Sequence, residues 1–344
     1  MKPILSKTAA LARRAAFLLA LGCAVAAVLG QAGRWNRVLD VANNFAPVWV
    51  AGGLAAGLVW LLAGRAGRAT PWLAAAAVLI SAFQMAPELL TAPDSAQAAP
   101  VGKTFKVVQF NVYAGNQHPE ATARWILAQD ADVVVIEEGF GDSTPILGAL
   151  KARYPYQTTC ARHAPCDTNL FSKRAPIAEG GLNEPGVRAR MDGAWAVYPD
   201  PGGPIPVIGL HLTWPFPPGW QKFQSCWLED LVNRMPKRRL IIAGDFNLAP
   251  WSFDMRRKDR SYGIERRTRA MASFPNGWIH PFPIWTPIPM LPIDQVYAGG
   301  GWSTASIVRG PRTASDHFPI IATLAERRGP VEPWAMRKTS PTCD

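Results

Sequence analysis

The chain has 344 residues, 36 of them Lys or Arg and 25 Asp or Glu, for a formal net charge of +11. That length excludes one average domain and accommodates about two. Charge is uneven: residues 1–100 carry eight basic and three acidic side chains, leaving 28 and 22 to residues 101–344. A nearly uncharged segment therefore precedes a mildly basic one, whose excess suits either an anionic substrate or ordinary solubility.

Three apolar runs fill the first segment: 15–30, entered through Arg13 and Arg14, then 46–63 and 71–90. Each approaches the roughly 17–25 residues that a bilayer core requires. A signal peptide would account for the first run but not for the two after it. A soluble Ala-rich bundle would need polar faces that these runs lack. Residues 1–90 are thus expected to be a multi-pass anchor of about three helices, with the lipid bilayer as partner. Lys2, Lys7, Arg13 and Arg14 precede the first run and Arg65 and Arg68 fill the second loop, whereas the first loop has Arg34 and Arg37 offset by Asp40, and Glu88 and Asp94 follow the third run. Basic loops stay in the cytoplasm. The rest of the chain is therefore expected across the inner membrane, in the periplasmic or extracytoplasmic space. Residues 91–103, rich in Ala, Pro and Ser, read as a linker.

From residue 104 onward, short apolar runs alternate with helical patterns. Strands are expected at 105–110, 132–136, 169–172, 194–198, 206–212, 240–243, 293–297 and 317–324. Helices are expected at 119–129, 144–152 and 221–235, with a partly helical stretch at 254–269. Residues 326–344 read as a polar tail. Cys160 and Cys166 bracket a turn-like stretch; in an oxidising compartment they could pair, and in the cytosol they would be two thiols. With His163 they make only an incomplete zinc set.

The strand ends carry the chemistry. Leu240 to Ala243 read as a strand buried on both faces, Gly244 ends it, and Asp245 and Asn247 then present a carboxylate and an amide. Such groups suit a phosphate and a divalent cation. Asn111, Glu137-Glu138, His211, Asp294 and Ser315-Asp316-His317 lie at similar places. Open α/β folds assemble sites from strand ends and the loops after them.

Taken together, Gln109-Phe110-Asn111, Ile136-Glu137-Glu138, Gly209-Leu210-His211-Leu212, Gly244-Asp245-Phe246-Asn247, Ile293-Asp294-Gln295 and Ser315-Asp316-His317 resemble the endonuclease/exonuclease/phosphatase superfamily. With the apolar runs, the chain looks like a bacterial membrane-anchored branch of these DNase I-like, metal-dependent phosphodiesterases. The resemblance spans residues 104–325. It implies an α/β fold, a four-layer α/β/β/α sandwich of two mixed sheets with helices outside, preceded by three transmembrane helices. It also implies roles. Glu138 would be the direct ligand of Mg²⁺, with Mn²⁺ the alternative; Asn111 would lie close to metal and phosphate, and Asp316 would contribute to the metal side. Asp245 would orient or deprotonate the attacking water, and Asn247 would hold the phosphate. Asp294 and His317 would form a buried carboxylate–imidazole pair, with His211 as the second histidine. Of the two adjacent acids, the spacing from Asp132 favours Glu138 over Glu137 as the one turned to the site. Glu137 stands where the family often has Gln, and Gln295 where His is frequent. His118, His163 and His280 match nothing in the pattern and are expected on loops or the surface.

The implied reaction is hydrolysis of a phosphoester by metal-assisted attack of water, with either Asp245 or His317 as base. Substrate class stays open between nucleic acid and a phospholipid headgroup. Arg256, Arg257, Lys258, Arg260, Arg266, Arg267 and Arg269 would suit a polyanion or form a solvated helix face. The Pro- and aromatic-rich stretches 214–220 and 281–285 would suit a lipid surface or be buried. A catalytically silent binding module on the same fold is the remaining alternative, and the complete ligand set argues against it. No segment singles out a protein partner.

Overall fold

The computed structural model describes residues 2–65, 67–91, 103–160, 166–182, 191–279 and 284–337. Of the expected linker only its two end residues are among them, and His163 and His280 lie outside. Two compact units form, residues 1–91 with 248–257, and residues 92–247 with 258–344.

The first unit holds α1 (Lys2–Gln31), α2 (Arg37–Asn44), α3 (Ala46–Leu62) and α4 (Ala69–Leu90). Its buried apolar residues are mostly small: Ala16, Ala20, Cys23, Ala24 and Ala27 of α1, Ala56 of α3, Ala74 and Ala77 of α4. The large apolar side chains are exposed instead, among them Leu18, Val25, Leu54, Leu58, Leu79 and Phe83. A water-soluble bundle has the opposite arrangement; small residues inside and large ones outside is the pattern of helices packed in lipid. By length and composition α1 and α4 could each cross a membrane. α3 is only 17 residues long and becomes a third candidate only together with α2, at a bend of 61°. The polar residues Asp40, Asn43 and Asn44 are all buried within α2, which is why the apolar run at 46–63 starts only after it.

The second unit holds, in chain order, β1 (Thr104–Asn111), α5 (Pro119–Ala128), β2 (Val133–Glu137), α6 (Thr144–Leu150), β3 (Tyr156–Thr159), β4 (Asn169–Ser172), β5 (Ala178–Gly181), β6 (Asp192–Tyr198), β7 (Ile205–His211), α7 (Pro218–Arg234) and β8 (Ile241–Asp245). The chain then enters 248–257, begins α8 (Phe253–Ser261), and returns with β9 (Glu265–Arg266), β10 (Trp278–Ile279), β11 (Ile284–Trp285), β12 (Asp294–Ala298), β13 (Trp302–Arg309) and β14 (Ile320–Glu326). One six-stranded sheet runs β13-β14-β1-β2-β4-β3 and the other β5-β6-β7-β8-β12-β9, with β10 and β11 as a separate hairpin.

The two sheets share a core. Val107, Val133, Val135 and Leu170 of the first cluster with Ala196, Val207, Ile241, Ala243 and Val296 of the second. On the other face of the first sheet, Val108, Phe110, Val134 and Ile136 pack with Ile126 of α5 and Ile146 of α6. The period-two alternation thus divides each strand between two cores. β1–α5–β2 and β7–α7–β8 are parallel crossover units. With the inner faces occupied by each other, their helices lie on the outer faces, which gives the four layers. Gly244 has to be glycine: a Cβ there would meet Leu210 O at 2.0 Å.

The last strand begins at Ile320, not at His317, because His317 belongs to a turn of its own in which its N–H bonds Ser315 Oγ at 3.0 Å. Part of the expected polar tail is packed: Trp334 lies 5.8 Å from Trp195 between ring centres, and the Arg337 N–H bonds Arg234 O. Cys160 and Cys166 are joined in a disulfide.

Candidate active site

Strand polarity gathers the site. The parallel strands β1 and β2, and β7 and β8, end at Asn111, Glu137, His211 and Asp245. β4, β6, β12 and β14 run antiparallel to these, so the same edge receives their beginnings. That brings in Asp167 ahead of β4, Asp192, Asp294, and the 315–317 turn ahead of β14. In the second sheet the register pairs Asp192 with His211, His211 with Asp245, and Asp245 with Asp294, one row of four polar residues across four strands.

Asp245 is the centre of the arrangement. Its Oδ1 accepts the Asn247 N–H at 2.8 Å, and its Oδ2 accepts from Asn111 Nδ2 at 3.2 Å. The same Oδ2 lies 3.7 Å from His211 Nε2 and 3.7 Å from His317 Nε2. Each imidazole is backed by a second acid: His317 Nδ1 is 2.8 Å from Asp294 Oδ2, and His211 Nδ1 is 2.8 Å from Asp167 Oδ2. Two carboxylate–imidazole pairs therefore converge on one carboxylate. Asn247 Nδ2 stands 3.2 Å from His211 Nε2 and donates to Leu212 O.

These contacts set the charge. Burial alone would lower the His211 pKa, but the hydrogen bond to Asp167 and the charges of Asp167, Asp245 and Glu138 raise it to about 10. His317 is likewise opposed by burial yet driven well above the usual histidine range, chiefly by Asp294 and Asp245. Both rings are held cationic at neutral pH. Asp245 moves the other way from a typical carboxylate: burial and the neighbouring Asp294 push it up to about 6, against the two imidazoles.

Across the cavity stands Glu138. Its Oε1 accepts from Asn111 Nδ2 at 3.0 Å and its Oε2 from the Ala114 N–H at 3.1 Å. Asn111 thus donates one amide group to both Glu138 and Asp245, while its oxygen takes the Tyr113 N–H. The strand alternation that sends Val133 and Val135 inward also buries Glu137, whose Oε2 accepts from Gln109 Nε2 at 3.1 Å. Burial first, and then Asp294, hold that carboxyl well above the carboxylate range. Glu138 escapes the alternation through a backbone φ of 55°. Tyr113 and Asn247 share this left-handed conformation, at φ 61° and 49°. Such residues cost of order 1–3 kcal/mol each and are kept where the surroundings demand them. Gln109 also donates to Asp294 Oδ1 at 2.7 Å, so Asp294 is fixed from behind. Gln295 is bonded to Thr268 and takes no part in the cavity.

Glu138, Asp167, Asp192, Asp245 and Asp316 line a cavity of about 320 Å³ with Tyr113, His211, Asn247, Trp214, Phe274 and His317. All eight expected residues are therefore at one place, Asn111 and Asp294 in the wall behind the lining. Asp167, Asp192 and Tyr113 were not singled out from sequence. Asp167 follows the disulfide-bonded Cys166 directly, which is the one local signal that could have found it. Hard carboxylate oxygens crowded enough to raise a carboxyl to about 6 fit a divalent cation. Glu138, Asp245 and Asp316 could hold it; Asp245, Asp294 and His317 also bring one ligand atom each within 4.8 Å of the others. His317 Nδ1 is bonded to Asp294, and its ring is driven toward the cationic form that cannot bind a metal.

Residues 108–317 match the sequence profile of the Endonuclease/Exonuclease/phosphatase family. The chain belongs to this family. Family members are typically metal-dependent phosphoester hydrolases. Similar solved structures include D. rerio TDP2 complexed with a single-strand DNA product, at 12% identity and TM-score 0.51 over 64% of this chain and 99% of that one. Sphingomyelinase C from Streptomyces griseocarneus is 19% identical, with TM-score 0.48 over 65% of this chain and 100% of its own. An endonuclease/exonuclease/phosphatase from Beutenbergia cavernae DSM 12333 is 18% identical, with TM-score 0.48 over 65% and 72%. At these identities the likeness is one of fold. The curated proteins contain no significant match.

Proposed function

We propose that this family member is a membrane-anchored, divalent-metal-dependent phosphodiesterase acting on a phospholipid headgroup outside the cytoplasm. The observation that carries the chemistry is Asp245 between two imidazole Nε2 atoms, each at 3.7 Å and each backed by its own acid. A carboxylate in that position orients and deprotonates water, and the two cations neutralise charge on the phosphoryl oxygens and protonate the leaving oxygen. Asp294 and Asp167 hold Nδ1 of each ring, so Nε2 faces the phosphate. With both rings cationic, Asp245 is the base and His317 is not. Asn247 steadies the phosphate. A cation on Glu138 and Asp316, Mg²⁺ by donor type, supplies further charge stabilisation when bound.

Exposed aromatic residues support the substrate class. Trp214 is exposed, lines the cavity and packs edge-on against Phe274 at 6.3 Å. Phe216, Trp220, Trp285 and Ile288 are exposed as well. Exposed apolar side chains suit a substrate held at a lipid surface. Much of the arginine-rich stretch is taken up internally: Lys258, Arg266 and Arg267 are buried, Arg266 pairs with Asp259, Arg267 with Glu265 and Arg257 with Asp254, while Arg260 is exposed. The full chain with Mg²⁺ should release phosphorylated headgroup from sphingomyelin or phosphatidylcholine vesicles and leave plasmid DNA and single-stranded RNA intact. Nucleic-acid cleavage with untouched lipid would reverse the assignment.

The helices support the topology. Arg13 Nη1 donates to Ala63 O at 2.8 Å, which joins the Arg13, Arg14, Arg65 and Arg68 cluster at one end of the unit. Asn43 Nδ2 donates to Gly30 O at 2.7 Å at the α2 end. Positive charge at the Arg13 end supports a cytoplasmic placement of that end. A cytosol-only fluorescent protein fused after Asp344 should stay dark while alkaline phosphatase there is active; the converse pair of results would invert the orientation.

A further inference from the structure

Asp167 holds the His211 imidazole, yet it lies outside every strand. The last ladder pair of the β3–β4 hairpin is Thr159 with Asn169. Cys160 follows the first of these directly, and its disulfide to Cys166 closes the hairpin loop. Asp167 and Thr168 are the whole of the span between that bridge and β4. The carboxylate that meets His211 Nδ1 at 2.8 Å is thus one residue from a covalent crosslink. Its Oδ1 accepts the Thr168 hydroxyl at 2.8 Å, and its backbone oxygen accepts the Gly139 N–H at 3.2 Å. Those bonds hold the main chain and the oxygen turned away from His211. The direction from which the chain enters Asp167 is set at Cys166.

The bridge also touches the strand beside His211. Cys160 is fully buried; its Sγ accepts the Gly193 N–H of β6 at 3.2 Å and lies 3.8 Å from Asp192 Oδ1. Asp192 stands opposite His211 in the register of β6 and β7, and both line the cavity. The Cys160 N–H bonds Cys166 Sγ at 2.9 Å. β3 and β4 belong to one sheet, β6 and β7 to the other. The sulfur pair therefore joins the two sheets at the cavity wall, through Cys160 to β6 and through Cys166 and Asp167 to β7. A crosslink needed only to close the hairpin has no reason to lie against that row.

We propose that Cys160 and Cys166 are positioning residues whose bridge sets Asp167 on His211, and that reduction of the bridge by a dithiol lowers turnover. Cys166 is the partly exposed sulfur, the one that an external thiolate reaches. That thiolate bonds Cys166 Sγ, the S–S bond breaks, and Cys160 Sγ leaves with the electron pair and takes a proton. The second sulfur of the dithiol then displaces Cys166, which takes the other proton. The dithiol ends as a disulfide and the chain as two thiols. Two unbonded sulfurs need more room than a bond allows, and Cys160 is locked among buried atoms, so Cys166 moves and Asp167 with it. Such bridges persist in oxidising compartments, so a chain still in the reducing cytoplasm is a weak hydrolase. The effect on turnover rests on the phosphodiesterase reading; the effect on His211 does not.

The test uses the full chain in nanodiscs with ¹⁵N-labelled histidine, as wild type, Cys166→Ser, Asp167→Asn and the two combined. An Nδ1 proton held by a carboxylate resonates far downfield, so His211 and His317 should each give such a signal. Cys166→Ser breaks the bridge and keeps the buried Cys160 sulfur for Gly193. It should lose the His211 signal and keep that of His317, which is the internal control. The kcat should fall by about 10- to 100-fold, the scale of a misplaced group, with KM changed less. Adding Cys166→Ser to Asp167→Asn should cost little more. Dithiol treatment of wild type should reproduce both losses, reverse on reoxidation, and serve alone if the variant unfolds. Cys226 is disulfide-bonded too, so the response of Cys166→Ser to the dithiol measures that other bond. An unchanged His211 signal in the folded, bridge-free protein would overturn the proposal, as would losses that add to those of Asp167→Asn. A lost signal with kcat unaltered, or with no hydrolysis by wild type, would keep the positioning and overturn the phosphodiesterase reading of His211 instead.

Discussion

Asp245→Asn and His317→Ala should each lower turnover by about 10²- to 10⁴-fold, the range of general acid–base catalysis, and the double variant should be little worse than either. The two side chains meet at 3.7 Å over one cavity, so they act on one transition state. Groups acting as a unit give strongly non-additive losses, whereas independent residues give losses that add. Stability separates the singles. Asp245→Asn removes a carboxylate that Asp294 repels, so it should melt no lower than wild type. His317→Ala leaves the buried Asp294 without its cation and should melt lower. His317→Gln is the control that keeps the volume. Near-normal turnover in a folded single variant would remove that residue from the chemistry.

Glu138→Gln should reduce turnover by more than about tenfold and weaken Mg²⁺ binding, because it removes a cavity carboxylate that Asn111 bridges to Asp245. Calorimetry reads the binding without substrate. The pH dependence has a definite sign. Asp245 acts as base only as its carboxylate, so turnover should hold above about 6 and fall as pH drops through that value. The residual turnover of Asp245→Asn should lack that limb. Mg²⁺ affinity indifferent to Glu138→Gln would move the cation elsewhere.

Much of this site was legible because each functional group follows or precedes an apolar run. All eight strands expected from sequence are interior: β1, β2, β4, β14 in one sheet and β6, β7, β8, β12 in the other. The missed β3, β13, β5 and β9 are the four sheet edges. Edge strands are covered less, so their sequences need no continuous apolar pattern, as in the half-exposed β13 with Ser303, Ala305 and Arg309. The same logic explains the site. Asp245 and Asn247 stand after a buried strand and are conspicuous, whereas Asp167 precedes a four-residue strand and acquires its meaning only from His211, distant in sequence. The bonding of Asp40 to the Phe253 and Asp254 N–H groups was invisible for a different reason. Asp40 reads as a loop charge between apolar runs, and nothing local says that its partners are two backbone N–H groups more than two hundred residues away.

The central claim is hydrolysis of a phosphodiester by water at the Asp245 cavity with a divalent cation. The most direct measurement is turnover of the full chain on headgroup-bearing vesicles in ¹⁸O-enriched water, with Mg²⁺ and again after EDTA. The account predicts a single ¹⁸O in the phosphoryl product, lost with turnover in EDTA and regained on adding Mg²⁺. Product formed without ¹⁸O, or formed at the same rate in EDTA, would contradict it.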